Sequence, residues 1–444
     1  MNREERKKTG EYGTGKRLLA LAILAGIVTV VLLVSLVGEG LIQVQHNRNA
    51  AQETVSPVVL KLDYAYQNPQ WDEQVEQTIK AFEEENPDVR IQYDPAYSSR
   101  VYEDTLIKKI ALSELGDIVQ LKNPAPYVEA GLIGTLPESL AQNLTYCYEE
   151  KGSVYGAGAV RATSGILYNQ ELFDRLHLNP PKNYKEFLAI CETLNQNGIT
   201  PIAVGGGDLW HMEYWINHFF REKVLTKNPD WLKDAETGKA SWADPEITEM
   251  IEALTGLFSS GYINADWRST TDLQTADLLA KGEAAMVYTG PWTAQTVQKM
   301  NPSFQAGWFF LPDEEGKTVA ADNQDVYWAV SADCQADEAR YEAALRFLEY
   351  FYSKENYSRV LNGTVTSSAV EGMDAAETTE FRTKVWADFA AADERITAYI
   401  GDADTPQNFE KELLLALETS LGGDLSKKKV QSKLTDSWEE TKNG

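Results

Sequence analysis

Between Tyr155 and Val204 the chain alternates short apolar runs with helical periodicity. Gly165 to Tyr168 is a β-type run, followed by Asn169, a turn and a helix. After Pro180-Pro181, residues Tyr184, Phe187, Leu188, Cys191 and Leu194 recur at helical spacing and predict one buried helix face. Asn183 stands at the cap position with Glu186 three residues on as its capping-box partner, and Gly198 is the stop signal before a second apolar run. Upstream, Val58–Leu62, Val89–Tyr93 and Ile118-Val119 read as strands. Asp72–Glu85 and Tyr102–Leu115 read as helices, the first with Val75, Ile79 and Phe82 inward and ended by Asn86-Pro87. Strand–helix alternation is the opening of a parallel α/β sheet, and such sheets bind ligands beyond the carboxyl ends of their strands. That position makes Tyr64, Tyr66, Gln67, Gln120 and Asn123 candidates.

Downstream, residues 206–270 hold many aromatics in a polar setting. Tyr214, His218 and Phe219 share a helical face and are expected in the core. Trp210, after Gly205-Gly206-Gly207-Asp208, is expected on a loop, where a ring is harder to bury. A helix over Asp272–Lys281 leads through Gly282 to the strand Ala284–Tyr288, and Thr289-Gly290-Pro291-Trp292 turns that strand into another helix. Phe304–Leu311 returns, and Val326–Val330 is a strand in which Tyr327 and Trp328 point to opposite sides. A helix over Asp337–Tyr352 places Tyr341, Leu345, Leu348 and Tyr352 on one face. Further helices are expected near 405–420 and 426–440, and there is no internal repeat.

The amino terminus is a different kind of sequence. Arg3, Arg6, Lys7, Lys8, Lys16 and Arg17 precede an uncharged run from Leu18 to Val37, which as a helix rises about 30 Å, enough to cross a bilayer. The basic flank belongs on the cytoplasmic side, which puts the large remainder outside. An uncleaved signal-anchor is expected, with a cleaved signal peptide as the alternative. The expected organisation is a basic flank at 1–17, a membrane segment at 18–40 and a tether at 41–57. Gly10–Lys16 spells GEYGTGK, close to a P-loop, but Arg17 stands where a Ser or Thr would ligate magnesium, and no strand precedes it.

Charge narrows the partners. The net charge is −26, and residues 1–50 carry more basic than acidic residues, so the body is more acidic still. Such a body repels nucleic-acid phosphates, and no nucleic-acid partner is expected. The three cysteines, Cys147, Cys191 and Cys334, show neither metal spacing nor a pairing pattern, and with four histidines and no HExxH there is no case for a metal or other cofactor.

Four segments carry a resemblance. Leu167, Tyr168, Asn169, Leu172, Phe173, Pro181 and Tyr184 follow a YN-x-x-LF-type pattern with a proline and an aromatic opening the next helix. They are joined by KGEAAMVYTGPW (Lys281–Trp292), GWFFLPDEEG (Gly307–Gly316) and YEAALRFLEYFYSKEN (Tyr341–Asn356). In this order and spacing the chain resembles the family 1 extracellular solute-binding proteins of ABC importers, the maltose-binding-protein-like group. Tyr184 replaces the family's usual tryptophan, and the lipobox cysteine of many relatives is absent. The resemblance implies an α/β, two-lobed periplasmic-binding-protein-like fold (type II), each lobe a sheet flanked by helices, with a hinge of crossing strands. The lobes would comprise 58–158 with 312–360, and 159–311 with 361–444.

It also implies a monomeric, non-catalytic protein that captures a carbohydrate between its lobes and docks the permease subunits of an importer. Sugars offer polar edges and apolar C–H faces, so their sites combine flat rings with amides, hydroxyls and carboxylates. On family position Trp292 is expected to stack on the ligand, with Arg161 and Ser164 in the segment crossing between lobes. Tyr66, Gln120, Asn123, Trp210, Asp325 and Tyr327 complete the expected site. Two other classes remain open: an extracellular glycoside hydrolase, which needs two carboxylates about 5–10 Å apart, and a membrane-anchored sensor or adhesion module. No motif places such a carboxylate pair.

Overall fold

The computed structural model describes residues 56–443, apart from 66–68, 94–98, 325, 376–377, 401–404, 406–408 and 422–425. The expected basic flank, the membrane segment at 18–40 and nearly all of the tether lie outside the described residues, as do Tyr66, Gln67 and Asp325. Among the described residues no helix is long and apolar enough to cross a membrane.

Two sheets organise the chain. The first has six strands in the order β2 (Val89–Tyr93), β1 (Val58–Asp63), β3 (Ile118–Leu121), β11 (Tyr327–Val330), β5 (Ser153–Gly158), β4 (Cys147–Glu150). β1 runs parallel to β2 and β3, whereas β11 is antiparallel to β3 and β5. The helix Pro69–Glu85 buries Val75, Ile79 and Phe82, the stripe that its sequence predicts, and Trp71 with them. It starts three residues earlier than expected, because a proline is well suited to a helix's first turn. The next helix, Ser99–Ala111, stops short of the expected Leu115. Leu112 is exposed and Ser113 adopts a left-handed φ of 57°, which turns the chain out of the helix.

The second sheet has four strands in the order β7 (Thr200–Ala203), β8 (Ala284–Thr289), β6 (Gly165–Asn169), β9 (Ala306–Phe309). β6 is antiparallel to both β8 and β9, and β7 is parallel to β8. Asn183 caps the helix Tyr184–Gln196, its Oδ1 accepting from the Glu186 N–H at 2.9 Å. The reciprocal bond of the expected capping box is displaced by one residue, since the Glu186 carboxylate accepts from the Lys182 N–H at 2.8 Å. Thr271 and Gln274 form a complete capping box on the helix Asp272–Lys281, and Gly282 closes that helix at φ 70°. Trp210 is a correction: it lies within the helix Leu209–Phe220 rather than on a loop. The turn ends at Asp208, whose carboxylate accepts from the Asp272 N–H at 2.8 Å, so the helix begins at once.

The chain passes between the sheets three times: from β5 to β6, from β9 to β11, and from the helix Lys354–Thr364 to the helix Glu380–Ala391. Two of these crossings are held to the first. Ala162 bridges Asn323 and Arg161 bridges Ser367, both antiparallel, and the Thr163 hydroxyl donates to Ala321 O at 2.7 Å. Separate cores flank the two sheets. One is built on Leu60, Trp71, Phe82, Trp328 and Phe347; the others on Phe187, Trp215, Trp242, Leu254 and Trp438, and on Leu167, Val287 and Trp308. Two stretches pack across the lobe boundaries expected from sequence. β10 (Val319–Ala321) pairs with β12 (Glu394–Ile396), and Ala320 packs beside Trp308. Val370 and Met373 pack against the first core.

Candidate functional site

The polar bonds between the two sheets locate the site. Gln70, just beyond β1, exchanges two hydrogen bonds with Thr296, just beyond β8, at 2.9 and 3.1 Å. Glu73 and Lys299 add an ion pair at 2.8 Å one helical turn further along the same two helices. Lys122, directly after β3, pairs with Glu213, in the helix after β7, at 3.3 Å. In each contact a segment following the carboxyl end of a strand in one sheet meets its counterpart from the other. These contacts lie where α/β sheets hold ligands, beyond the carboxyl ends of the strands, and mark the candidate crevice between the two sheets.

On the first side, Gln120 is buried in β3, opposite Trp328 of β11. Its Oε1 accepts from the Trp71 indole at 3.0 Å, and its carbonyl accepts from the Tyr102 hydroxyl at 2.8 Å. The Trp71 ring stacks against Trp328 with centroids 6.1 Å apart. Asn123 accepts from the Ala125 N–H at 3.0 Å and so turns the chain out of the strand. Tyr327 opens β11 at the same end, half-buried, edge-on to Tyr146 at 5.3 Å. Tyr64 donates to Asp72 Oδ1 at 2.6 Å. Burial raises the Asp72 pKa and the Tyr64 hydrogen bond opposes it; burial, then Asp72, push the Tyr64 phenol above its ordinary range.

On the second side, Trp292 stands at the start of the helix Thr293–Met300, half-buried, its ring lying on Gly290. A β-carbon at Gly290 would come within 2.1 Å of the indole, so only glycine lets the ring settle there. The Trp292 Nε1 has no hydrogen-bond partner among the described residues. Ser164 is buried just before β6, beside the Tyr288 hydroxyl. Burial raises the Tyr288 pKa, and Arg221 and Ser164 pull the other way. His218 is buried and its pKa is pushed down to about 3, by desolvation first and then by Arg221 and Lys223. The Trp210 side chain lies outside the described residues, but its position in the first turn after β7 puts it at the same strand-end face.

Arg161 lies in the crossing segment, and its guanidinium is spoken for: Nε and Nη2 grip the two oxygens of Asp322 at 3.1 and 2.5 Å. Asp322 is nearly buried and also accepts from Gln324 at 3.3 Å. The pair ties two interlobe crossings together, which makes Arg161 a hinge residue in this geometry. Gln120, Asn123 and Tyr327 stand at neighbouring ends of β3 and β11 in the first sheet, and Ser164 and Trp292 flank β6 and β8 in the second. Gln70, Lys122, Glu213, Thr296 and Tyr399 were not singled out from the sequence. Their position just past strand ends was the available signal for the first four; Tyr399, whose ring lies 5.8 Å beneath the Lys122 ammonium, had none. Among the described residues no group of three or more His, Cys, Asp or Glu is placed to hold a metal ion.

Two α/β lobes joined by three crossings are the architecture of a two-lobed solute-binding protein. The sequence profile of bacterial extracellular solute-binding proteins matches residues 65–358, and the chain belongs to that family. The multiple sugar-binding protein of Streptococcus mutans is 21% identical over 342 residues, 74% of this chain and 79% of that protein. The melibiose/raffinose/stachyose-binding protein of Bacillus subtilis is 22% identical over 237 residues, 51% of this chain and 55% of that one. Among solved structures, a chitin oligosaccharide binding protein superposes with a TM-score of 0.78 at 22% identity, over 88% of this chain and 100% of that chain. A sugar transporter from Bacillus licheniformis in complex with stachyose gives 0.72 at 20% identity, over 86% and 100%. At these identities the structural likeness establishes the fold.

Proposed function

We propose that this protein captures a sugar or oligosaccharide in the interlobe crevice and delivers it to the membrane permease of an ABC importer. The observation that supports the reading is the supply of ring and amide groups beside the strand ends of both sheets. Trp292 lies flat on Gly290 with an unused indole N–H in the turn after β8, while Gln120, Asn123 and Tyr327 stand at neighbouring ends of β3 and β11 in the other sheet. Sugar-binding functions in the names of several relatives support it. We assign Trp292 to stacking and Gln120, Asn123, Ser164, Trp210 and Tyr327 to the polar and aromatic rim, with Tyr66 and Asp325 as further rim positions. Arg161 holds the hinge. The lobes are 58–158 with 322–375, and 159–321 with 376–444, a division that follows the packing of Ala320, Val370 and Met373. The segment at 18–40, with its uncharged run from Leu18 to Val37, anchors the protein, with the lobes on the extracytoplasmic side.

The test is thermal unfolding of the full-length chain against neutral and acidic mono- and oligosaccharides. A ligand that binds only the native state stabilises it by about 2.7 kcal/mol at a hundred times its dissociation constant. The expected result is a melting shift that Trp292→Ala removes, with the sugar recovered intact. Cleavage products would overturn capture without chemistry, and no shift across the panel would overturn the carbohydrate reading.

A further inference from the structure

Arg221 opens the π-helical turn Arg221–Leu225 at the end of the helix Leu209–Phe220, and π-turns of this kind recur at functional sites. The residue is 2% exposed, and its Nε and Nη2 have no hydrogen-bond partner among the described residues. No carboxylate forms an ion pair with it among those residues. The adjacent Glu222 is held by Lys223 at 2.7 Å, with His218 at 3.6 Å. Burial pulls the Arg221 pKa below the ordinary arginine value while Tyr288 and Tyr399 oppose the shift. A guanidinium nevertheless keeps its proton inside proteins, so this is a buried cation without a counter-charge, a costly arrangement.

The two unused atoms form one edge of the guanidinium. Arg161 uses that same edge to hold both oxygens of Asp322, so this chain itself displays what the edge is shaped to grip: a carboxylate. Its surroundings place it behind the wall of the crevice. Tyr288 lies two residues before Gly290 on β8, and Ser164 adjoins the first crossing. Tyr399, close enough to act on the Arg221 charge, lies beneath Lys122 of the opposite lobe.

We propose that the Nε/Nη2 edge of Arg221 receives a carboxylate of the bound solute, entering between Tyr288 and Tyr399, and that the ligand is therefore an acidic sugar, a uronate-bearing mono- or oligosaccharide. The inference rests on the carbohydrate reading above. A neutral sugar's hydroxyls can occupy the hydrogen-bonding edge but cannot balance its charge. The acidic surface of the body does not forbid an anion, because exposed charges are screened beyond about 8 Å at physiological salt, whereas a buried contact is not.

Calorimetric titration of the full-length chain with matched pairs tests this: galactose against galacturonate, glucose against glucuronate, and the corresponding di- and trisaccharides. The acidic member of one pair is expected to bind about a hundredfold more tightly than its neutral twin, the size of effect seen when one partner of a buried charge pair is lost. Arg221→Met is expected to erase that preference while leaving the ligand-free melting temperature unchanged or higher, since it removes an uncompensated cation. A purely structural arginine would lower the melting temperature and leave the acid preference alone. Arg221→Lys, which keeps the charge but not the fork, is expected to retain a smaller preference and serves if the methionine variant does not fold. Tighter binding of the neutral twins, or unchanged acidic-sugar affinity in Arg221→Met, overturns the inference and leaves sugar capture standing. If no member of any pair binds, sugar capture and the inference fail together.

Discussion

Gly290→Ala is a test of the site that removes no functional group. The Gly290 φ does not lie in the left-handed region, so its backbone accepts any residue. All of the strain comes from the added methyl, which would stand 2.1, 2.2 and 2.2 Å from three atoms of the Trp292 six-membered ring. Ordinary van der Waals contact begins near 3.4 Å, so the ring must retreat by more than an ångström. Overpacking of this kind costs about 1–3 kcal/mol. In a Trp292→Ala background the obstacle is gone. There Gly290→Ala should be neutral, or stabilising by about 0.4–1 kcal/mol because it restricts the unfolded chain. The two substitutions should therefore couple by about 2 kcal/mol, measured by urea unfolding of the four proteins of the cycle. Gly290→Ala alone should also weaken sugar binding about tenfold, as the ring leaves its stacking position, an effect worth about 0.5–1.5 kcal/mol. If the unfolding costs simply add, the ring does not rest on Gly290 and the geometry assigned to Trp292 is wrong.

The other predictions concern hinge, closure and pH. Arg161→Met leaves the nearly buried Asp322 with only the 3.3 Å bond from Gln324, and should lower stability by about 1.5–3 kcal/mol. Arg161→Lys should recover less than half, because lysine cannot span both oxygens; full recovery in denaturant melts would show that the fork does not matter. Gln70→Leu removes both hydrogen bonds to Thr296 across the lobes and should weaken ligand binding about tenfold, with a larger radius of gyration by small-angle X-ray scattering. An unchanged radius with unchanged affinity would refute a closing role. Lys299→Ala should change melting little, since that pair is half-exposed on both sides. His218 titrates near 6.5 when unfolded and at about 3 when folded, so the unfolded chain binds the extra proton between those values and stability falls as pH drops through that window. The loss from this group reaches about 2 kcal/mol at pH 5, and His218→Gln should remove it from the pH profile of unfolding. A wild-type profile flat from pH 6.5 to 5 would contradict a buried neutral imidazole.

The fold was largely legible because local signals agreed with the global arrangement. Apolar stripes such as Val75–Ile79–Phe82, the Asn183 cap and the Gly282 stop each name an element without reference to the rest of the chain. Errors fell where tertiary contacts decide. Leu112 and Ser113 continue a helical pattern, but Leu112 is left exposed and Ser113 turns the chain at a left-handed φ of 57°, so the helix ends at Ala111. β10 pairs with β12, more than seventy residues further on, in a small sheet of its own, and Ala320 shares the core of Trp308, a long-range pairing that the sequence does not mark. Position at a strand end singled out Gln120 and Asn123, and family position after the Gly-Pro turn singled out Trp292. It passed over Gln70 and Thr296, whose bond spans 226 residues of sequence, because neither residue type carries a chemical label.

The two arginines show where sequence reading stops and why. Arg161 and Arg221 are the same side chain, both placed near the interlobe crevice, and the same pair of nitrogens decides the role of each. In one, Asp322 arrives from a crossing strand 161 residues away and fills the edge, turning a candidate ligand contact into a hinge tie. In the other, the nearest carboxylate in sequence, Glu222, is engaged by Lys223, and the edge stays without a counter-charge. A residue's availability for a ligand is a property of what the fold has left unpaired around it. Burial makes that deficit count, because water cannot supply the missing partner. By that criterion Arg221, which no pattern in the sequence distinguishes, is a better candidate for reading the solute's chemistry than Arg161, which sequence position favoured.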